Sequence, residues 1–323
     1  LLNVRGKGYT MLIRIQAGDA YCDHTILFVL KRLSLSTKMI RFLKYRENGI
    51  LVNQERVTVR KVLHDGDVLF LGTEDTVSSE SATPAPLPLP IVLENESMVI
   101  VNKPPHMPTH PSHGHHDDTV ANALAYYYAS QNIPFVFRPI HRLDKNTSGL
   151  VLVARNKMAA ARLTQAMTKG QIRKSYLALL RGKLPEPTVT ETHFGLCLGK
   201  IDTYLCRTDH SVILRRVCAS DAPGAEHAIT LYQILRVCDA CTLVEVFPLT
   251  GRTHQIRVHF AHLGHPLLAD DLYGSPDPAI NRHALHAKTL DITLPETTFH
   301  AEAPLPDDMK KAIDFYFGPT DAR

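Results

Sequence analysis

The chain has 323 residues, 44% apolar and 21% charged, which is enough for two domains and a sizeable core and is the composition of an ordinary globular protein. No apolar run approaches the roughly 20 residues that a bilayer-spanning helix needs, so a membrane role is not expected. Net charge is a mild +4, but twelve Lys/Arg against six Asp/Glu up to Gly72 give that segment a surplus of six, leaving −2 for the remainder. A basic small segment joined to a near-neutral large one suits the holding of a polyanion.

The first residues, Leu1 to Lys7, show no apolar segment ahead of a small-residue cleavage site, so a cytoplasmic protein is expected, with Met11 an alternative initiator. Six cysteines (Cys22, Cys197, Cys206, Cys218, Cys238, Cys241) are scattered over the chain and read as reduced thiols.

Residues 25–45 read as helical. Ile26, Val29, Leu30 and Leu33 form one apolar stripe, and Ile40 and Leu43 form a second, with Lys38, Arg41 and Lys44 largely off it. Asn48-Gly49 ends the helical stretch. Strands are expected at 50–52 and 57–59, with a turn at Asn53-Gln54-Glu55, and again at 68–70 after Asp65-Gly66-Asp67. Residues 73–90 begin with acids and serines and continue with proline at alternate positions, which reads as a linker whose second half is extended.

Beyond the linker, residues 97–102 read as a strand ended by Pro104, and 150–154 as another. Asn156 can cap a helix that stops at Lys169-Gly170. Strands follow at 173–179, 229–235 and 242–247, and a helix from Thr253 buries Ile256, Phe260 and Leu263 before Gly264. Strands outnumber helices, and the two are not regularly interleaved. The expected fold class is therefore α+β, with a mainly antiparallel mixed sheet and a small α/β domain ahead of it. The domains are expected at 1–72 and 91–323.

One run stands out: His141-Arg142-Leu143-Asp144-Lys145-Asn146-Thr147-Ser148-Gly149, just before the apolar strand. It sets a carboxylate among cations on a loop, where it can act as nucleophile or base without a metal or organic cofactor. Alone, such an Asp more often braces a turn. The run resembles the H-R-L-D-x-x-T-S-G signature of the RluA-type pseudouridine synthases and matches every fixed position. Two further stretches resemble the same family: Gly251-Arg252-Thr253-His254-Gln255-Ile256-Arg257 and Lys174-Ser175-Tyr176-Leu177-Ala178. The resemblance spans roughly residues 91–306. Ala269-Asp270 stands where the family usually has Gly-Asp, and Asp118-Thr119 where it has Gly-Thr.

The resemblance implies an RNA uridine isomerase with the pseudouridine synthase fold and no cofactor. It makes Asp144 the catalytic carboxylate, Arg257 its ion partner and Tyr176 the ring that stacks on the target base. Arg142 would fill the space left by the extruded nucleotide. Arg252 would meet RNA phosphate or brace its loop, and Lys174 belongs to the RNA-binding set. His254 and Gln255 read as loop braces. Residues 23–71 resemble the S-four-type RNA-binding domain, in which Lys38, Arg41 and Lys44 would face RNA. The alternatives to this part are a generic helix-turn-strand unit and a solvated basic surface.

Five histidines at 106, 110, 113, 115 and 116 lie beside Asp117 and Asp118, but no spacing matches a common zinc motif, so no metal is expected. Cys238-Asp239-Ala240-Cys241 is a lone pair at an expected hairpin turn. No glycine-rich nucleotide-binding run is present. The expected protein is a monomeric pseudouridine synthase acting on structured RNA, with ribosomal RNA favoured over transfer RNA. The rivals are a catalytically silent RNA-binding protein and a metal-dependent hydrolase built on the histidine loop.

Overall fold

The computed structural model describes residues 11–16, 18–33, 35–72, 82–193, 195–208, 211–295 and 297–319. The first ten residues and the acidic half of the expected linker, 73–81, lie outside them.

The N-terminal unit pairs two helices with a small antiparallel sheet. Thr25 caps α1 (Ile26–Arg32) by accepting from the Phe28 N–H, and Ser36 caps α2 (Thr37–Tyr45) by accepting from Met39. The sheet contains β1 (Met11–Arg14), β2 (Ile50–Val52), β3 (Glu55–Arg56) and β4 (Val68–Leu71), ordered β1-β4-β2-β3. Sequence reasoning missed β1 and placed a strand at 57–59. The observed partner strand is 55–56, because Asn53 and Gln54 both take positive φ (52° and 73°) and close a two-residue hairpin turn. Ile26, Val29, Leu30, Ile40, Leu43, Leu69 and Leu71 fill the core of this unit. Lys38, Arg41 and Lys44 are exposed on α2. The unit docks through Met158, which joins its core, and through Lys157, whose amine sits 4.1 Å from the Phe42 ring centroid.

The proline-rich half of the expected linker is not a free tether. Leu87 and Leu89 pack on the main core, and the Ala85 N–H donates to the Asn122 carbonyl.

The large unit is built on one long sheet. Its elements are β5 (Ile91–Glu94), β6 (Met98–Lys103), α3 (Val120–Ala129), β7 (Ser148–Ala154), α4 (Lys157–Thr168), β8 (Ile172–Arg181), β9 (Thr190–His193), β10 (Leu196–Thr208), β11 (Ser211–Cys218), β12 (Glu226–Val237), β13 (Cys241–Pro248), α5 (Gln255–His262), β14 (Leu285–Leu294), β15 (Thr297–Glu302) and α6 (Asp307–Phe317). The order is β11-β10-β12-β13-β8-β14-β7-β6-β5, with β15 on β14 and β9 on β10. Among these pairings β14–β7 is parallel and the rest are antiparallel, which makes the sheet mixed and mainly antiparallel, as expected from sequence.

Alternation along the central strands decides what each face carries. Val99, Val101, Val151, Val153, Tyr176, Ala178 and Val244 share one core with residues of α3 and α5. Met98, Ile100, Leu150 and Leu152 pack on the opposite side under α4, and Leu177 and Leu179 under α6. Tyr176 on β8 therefore points to the α5 side. Helix α5 begins at Gln255, later than expected, and Leu263 is largely exposed.

Gly149 explains the end of the Thr-Ser-Gly turn. It pairs with Ala287 on the parallel neighbour β14 at φ 110°, and a Cβ there would lie 2.1 Å from the Ala287 carbonyl oxygen. Gly149→Ala is expected to destabilise the fold by about 4 kcal/mol or more, measured by chemical denaturation. A midpoint equal to wild type would refute this account of the turn.

Burial also holds several histidines neutral. It pushes His141 and His283 down to about 3, and His259 and His286 down to about 4. The unfolded chain would take up these protons near the ordinary value of about 6.5. Between the two values the unfolded state binds more protons, so stability is full above pH 6.5 and is lost as pH falls toward 4. Urea midpoints should decline from about pH 6.5, before ordinary carboxylates titrate. A flat profile from pH 7 to pH 5 would contradict the assignment.

Candidate active site

The segment between α3 and β7 carries the His141–Gly149 run, whose last two residues open β7, and three buried cations hold its surroundings. Lys103, fully buried at the end of β6, donates to the carbonyls of Pro104, Met107 and Lys145 at 2.8–3.0 Å. Burial pushes its amine down to about 7, while three acceptors for its three protons favour the ammonium form. Arg282, also buried, donates to the carbonyls of Asn146, His283 and Leu285 and grips Asp308 of α6 through two hydrogen bonds of 2.6 and 3.0 Å. Thr147 meets Nε2 of His283 at 2.8 Å. The peptide on the C-terminal side of Asp144 is therefore tied to β6, β14 and α6.

Arg257, the third cation, rises from α5 with its side chain only 4% exposed. Its Nε and one terminal nitrogen donate to the two oxygens of Asp270 at 2.8 and 2.6 Å, and that nitrogen also meets Asp271 at 2.8 Å. Burial acts against the guanidinium charge, but the carboxylates prevail and raise its pKa. The same pairing holds Asp270 below the ordinary carboxylate range against the pull of burial. Nη1 is left facing Oδ2 of Asp144 at 3.5 Å. The fork is thus committed to Asp270, and Asp144 receives charge at a distance slightly beyond a hydrogen bond.

Asp144 has a side chain 20% exposed, and its Oδ1 has no hydrogen bond within the described residues. It lines a cavity of about 840 Å³ together with Tyr176, Lys174, Arg142, Arg252 and His254. Tyr176 is 6% exposed, and burial and then the Asp144 charge raise its hydroxyl pKa. Burial pushes the Lys174 amine down to about 8. Arg142 is exposed at the same cavity. Arg252 donates to the His227 carbonyl and to Glu226, both at 3.0 Å, which braces the loop before α5 against β12. Gln255 bridges Thr250 and the Arg252 N–H to Ile229 and Thr230, as a loop brace should.

His254 was read as a brace as well, but the structure takes it further. It sits at φ 56°, its Nδ1 pairs with the Tyr273 hydroxyl at 2.9 Å, and its Nε2 lies 3.9 Å from Oδ2 of Asp144. Lys38, Arg41 and Lys44 are not part of this cavity. Among the described residues no group of His, Cys, Asp and Glu gathers into a cluster able to hold a metal ion, and His115 pairs instead with Asp118 at 2.6 Å.

Sequence reasoning missed Asp270, Asp271, Tyr273, Lys103 and Arg282. The detectable signal was charge in apolar surroundings: Asp270-Asp271 follows Leu267-Leu268-Ala269, and Lys103 ends an apolar strand. Ala269, where the resembling family has Gly, holds φ 51° immediately before Asp270.

A family model described as RNA pseudouridylate synthase matches residues 97–262. The uncharacterized RNA pseudouridine synthase YjbO of Bacillus subtilis is 34% identical over 87% of this chain and 95% of its own length. The ribosomal large subunit pseudouridine synthase D of Vibrio cholerae is 36% identical over 81% of this chain and 82% of its own. Among solved structures, human RNA pseudouridylate synthase domain containing 1 aligns with a TM-score of 0.53 and 29% identity over 69% of this chain and 85% of that one. With this sheet, this cavity and these relatives, the chain belongs to the RNA pseudouridylate synthase family, in its RluA-type branch, and is an isomerase that converts uridine in RNA to pseudouridine.

Proposed function

We propose that Asp144 is the catalytic carboxylate, that Arg257 keeps it ionised and in place, and that Tyr176 carries the target base on its ring. The carrying observation is a carboxylate with one oxygen 3.5 Å from a clamped guanidinium and the other without a hydrogen bond among the described residues, in a cavity that also holds a tyrosine. In the reaction the N1–C1′ bond breaks, the uracil turns, and a C5–C1′ bond forms. C5 loses a proton and N1 gains one. The free oxygen of Asp144 can trap the electron-poor C1′, take a sugar proton to give a glycal, or attack the base. All three routes need the same ionised carboxylate beside a fixed cation.

Extruding the base costs a few kcal/mol, and stacking on an aromatic ring returns roughly 1–3 kcal/mol. In this reading Arg142, exposed at the cavity, fills the vacated stack. Lys174 and Arg252 take RNA phosphates, and Lys38, Arg41 and Lys44 on α2 hold flanking RNA. The substrate is ribosomal RNA, as the name of the Vibrio relative suggests, and the protein works as a monomer in the cytoplasm.

Pseudouridine mapping of total RNA from cells lacking the gene, complemented with wild type or Asp144→Asn, tests the reading. A site in ribosomal RNA restored by wild type alone is expected. Full restoration by Asp144→Asn would overturn the catalytic assignment, and a site restored only in transfer RNA would overturn the substrate.

A further inference from the structure

His254 occupies a strained position for a reason that loop bracing does not supply. A non-glycine residue at φ 56° costs on the order of 1–2 kcal/mol and persists only where its surroundings over-determine it. Its side chain is only 11% exposed, so it is poorly placed to meet RNA directly.

We infer that His254 is a positioning residue that, together with Arg257, holds Oδ2 of Asp144 and leaves Oδ1 as the reacting oxygen. The inference rests on Asp144 being the catalytic carboxylate.

The protonation of His254 is set by Tyr273. Its hydroxyl accepts the backbone N–H of Arg215 on β11 at 2.9 Å and meets Nδ1 of His254 at 2.9 Å. A phenol has one proton to give, and among the described residues Nδ1 is the acceptor in reach. If that proton goes to Nδ1, the ring proton sits on Nε2 and faces the carboxylate. The opposite tautomer would turn a lone pair toward Oδ2 at 3.9 Å and leave the phenol proton without an acceptor. Burial lowers the imidazole's pKa, which favours the neutral ring that this tautomer requires.

The Arg257 guanidinium also lies 5.3 Å from the Tyr273 ring centroid, so one tyrosine orders both groups that face Oδ2. Nη1 at 3.5 Å and Nε2 at 3.9 Å both make their nearest approach to the same oxygen. A cation and a ring N–H on the same side, both just beyond hydrogen-bond distance, favour one rotation of the carboxylate about its Cβ–Cγ bond, and that rotation decides where the free oxygen meets the sugar.

The test is single-turnover and steady-state kinetics on an RNA substrate with His254→Leu, His254→Gln, Tyr273→Phe and Asp144→Asn, each first checked for a wild-type denaturation midpoint. Glutamine keeps a donor at the reach of Nε2, and leucine does not. His254→Leu should lower kcat about a hundredfold with KM unchanged, the scale of a misplaced reacting group. His254→Gln should recover most of that loss, and Tyr273→Phe should fall between the two. Equal losses in the leucine and glutamine variants, a rise in KM matching the fall in kcat/KM, or unchanged kcat in the leucine variant would each overturn the inference. Activity retained in Asp144→Asn would instead remove the catalytic assignment beneath it.

Discussion

The site depends on a buried ion pair whose partner is not the proposed catalytic residue. Arg257 is clamped through two hydrogen bonds to Asp270, both side chains almost wholly shielded from water. A guanidinium committed in this way cannot swing to close a tight pair with Asp144. Had it done so, the carboxylate would be bound on both oxygens and a poor nucleophile or base. The clamp supplies a positive potential beside Asp144 while leaving half of that carboxylate free. A pair of this kind is costly to build, because both ions lose hydration, and removing one partner strands the other in a dry site.

The rest of the large unit places three loops around that pair. The strand end at Lys103, the Asp144 loop and the turn at residues 270–273 come from distant parts of the chain. Buried cations tie the first two to carbonyls, and Arg257 ties the third. The parallel contact between β7 and β14 brings the Thr-Ser-Gly turn against Ala287 so closely that only glycine fits. What looks in sequence like one catalytic signature thus divides in space: Asp144 faces the cavity, while Thr147, Ser148 and Gly149 hold the loop to β14.

The legible part of the site was the part written in local runs. Asp144, Tyr176 and Arg257 sit in three separate motifs, and all three line one cavity. Arg257 lies beside the apolar stripe of α5, from which its inward aim is readable, whereas Tyr176 was marked by the family resemblance. The partners that decide the electrostatics were not legible, because they are made by tertiary approach: Asp270 reaches Arg257 from a turn whose shape rests on a left-handed alanine. His254 was read only as a loop brace for the same reason. Its neighbours in sequence are loop braces, whereas its neighbours in space are Asp144 and Tyr273. In the fold, the helices α1, α2, α4 and α5 and the strands β6, β7, β8, β12 and β13 were read from sequence, but α3, α6, β5, β9 to β11, β14 and β15 were not, nor were β1 and the 55–56 strand. Short strands in the small unit take their pairing from a turn geometry that asparagine and glutamine do not announce.

The most direct test compares the single-turnover rates of pseudouridine formation in Asp270→Asn and Asp271→Asn. Asp270 is buried and grips two nitrogens of Arg257, whereas Asp271 is 62% exposed and meets one of them. The account predicts a loss of about a hundredfold or more for Asp270→Asn, because a freed guanidinium either collapses onto Asp144 or leaves it unsupported, and a near wild-type rate for Asp271→Asn. A folded Asp270→Asn enzyme that turns over at the wild-type rate would contradict the claim that the clamp on Arg257 is what sets Asp144 for its task.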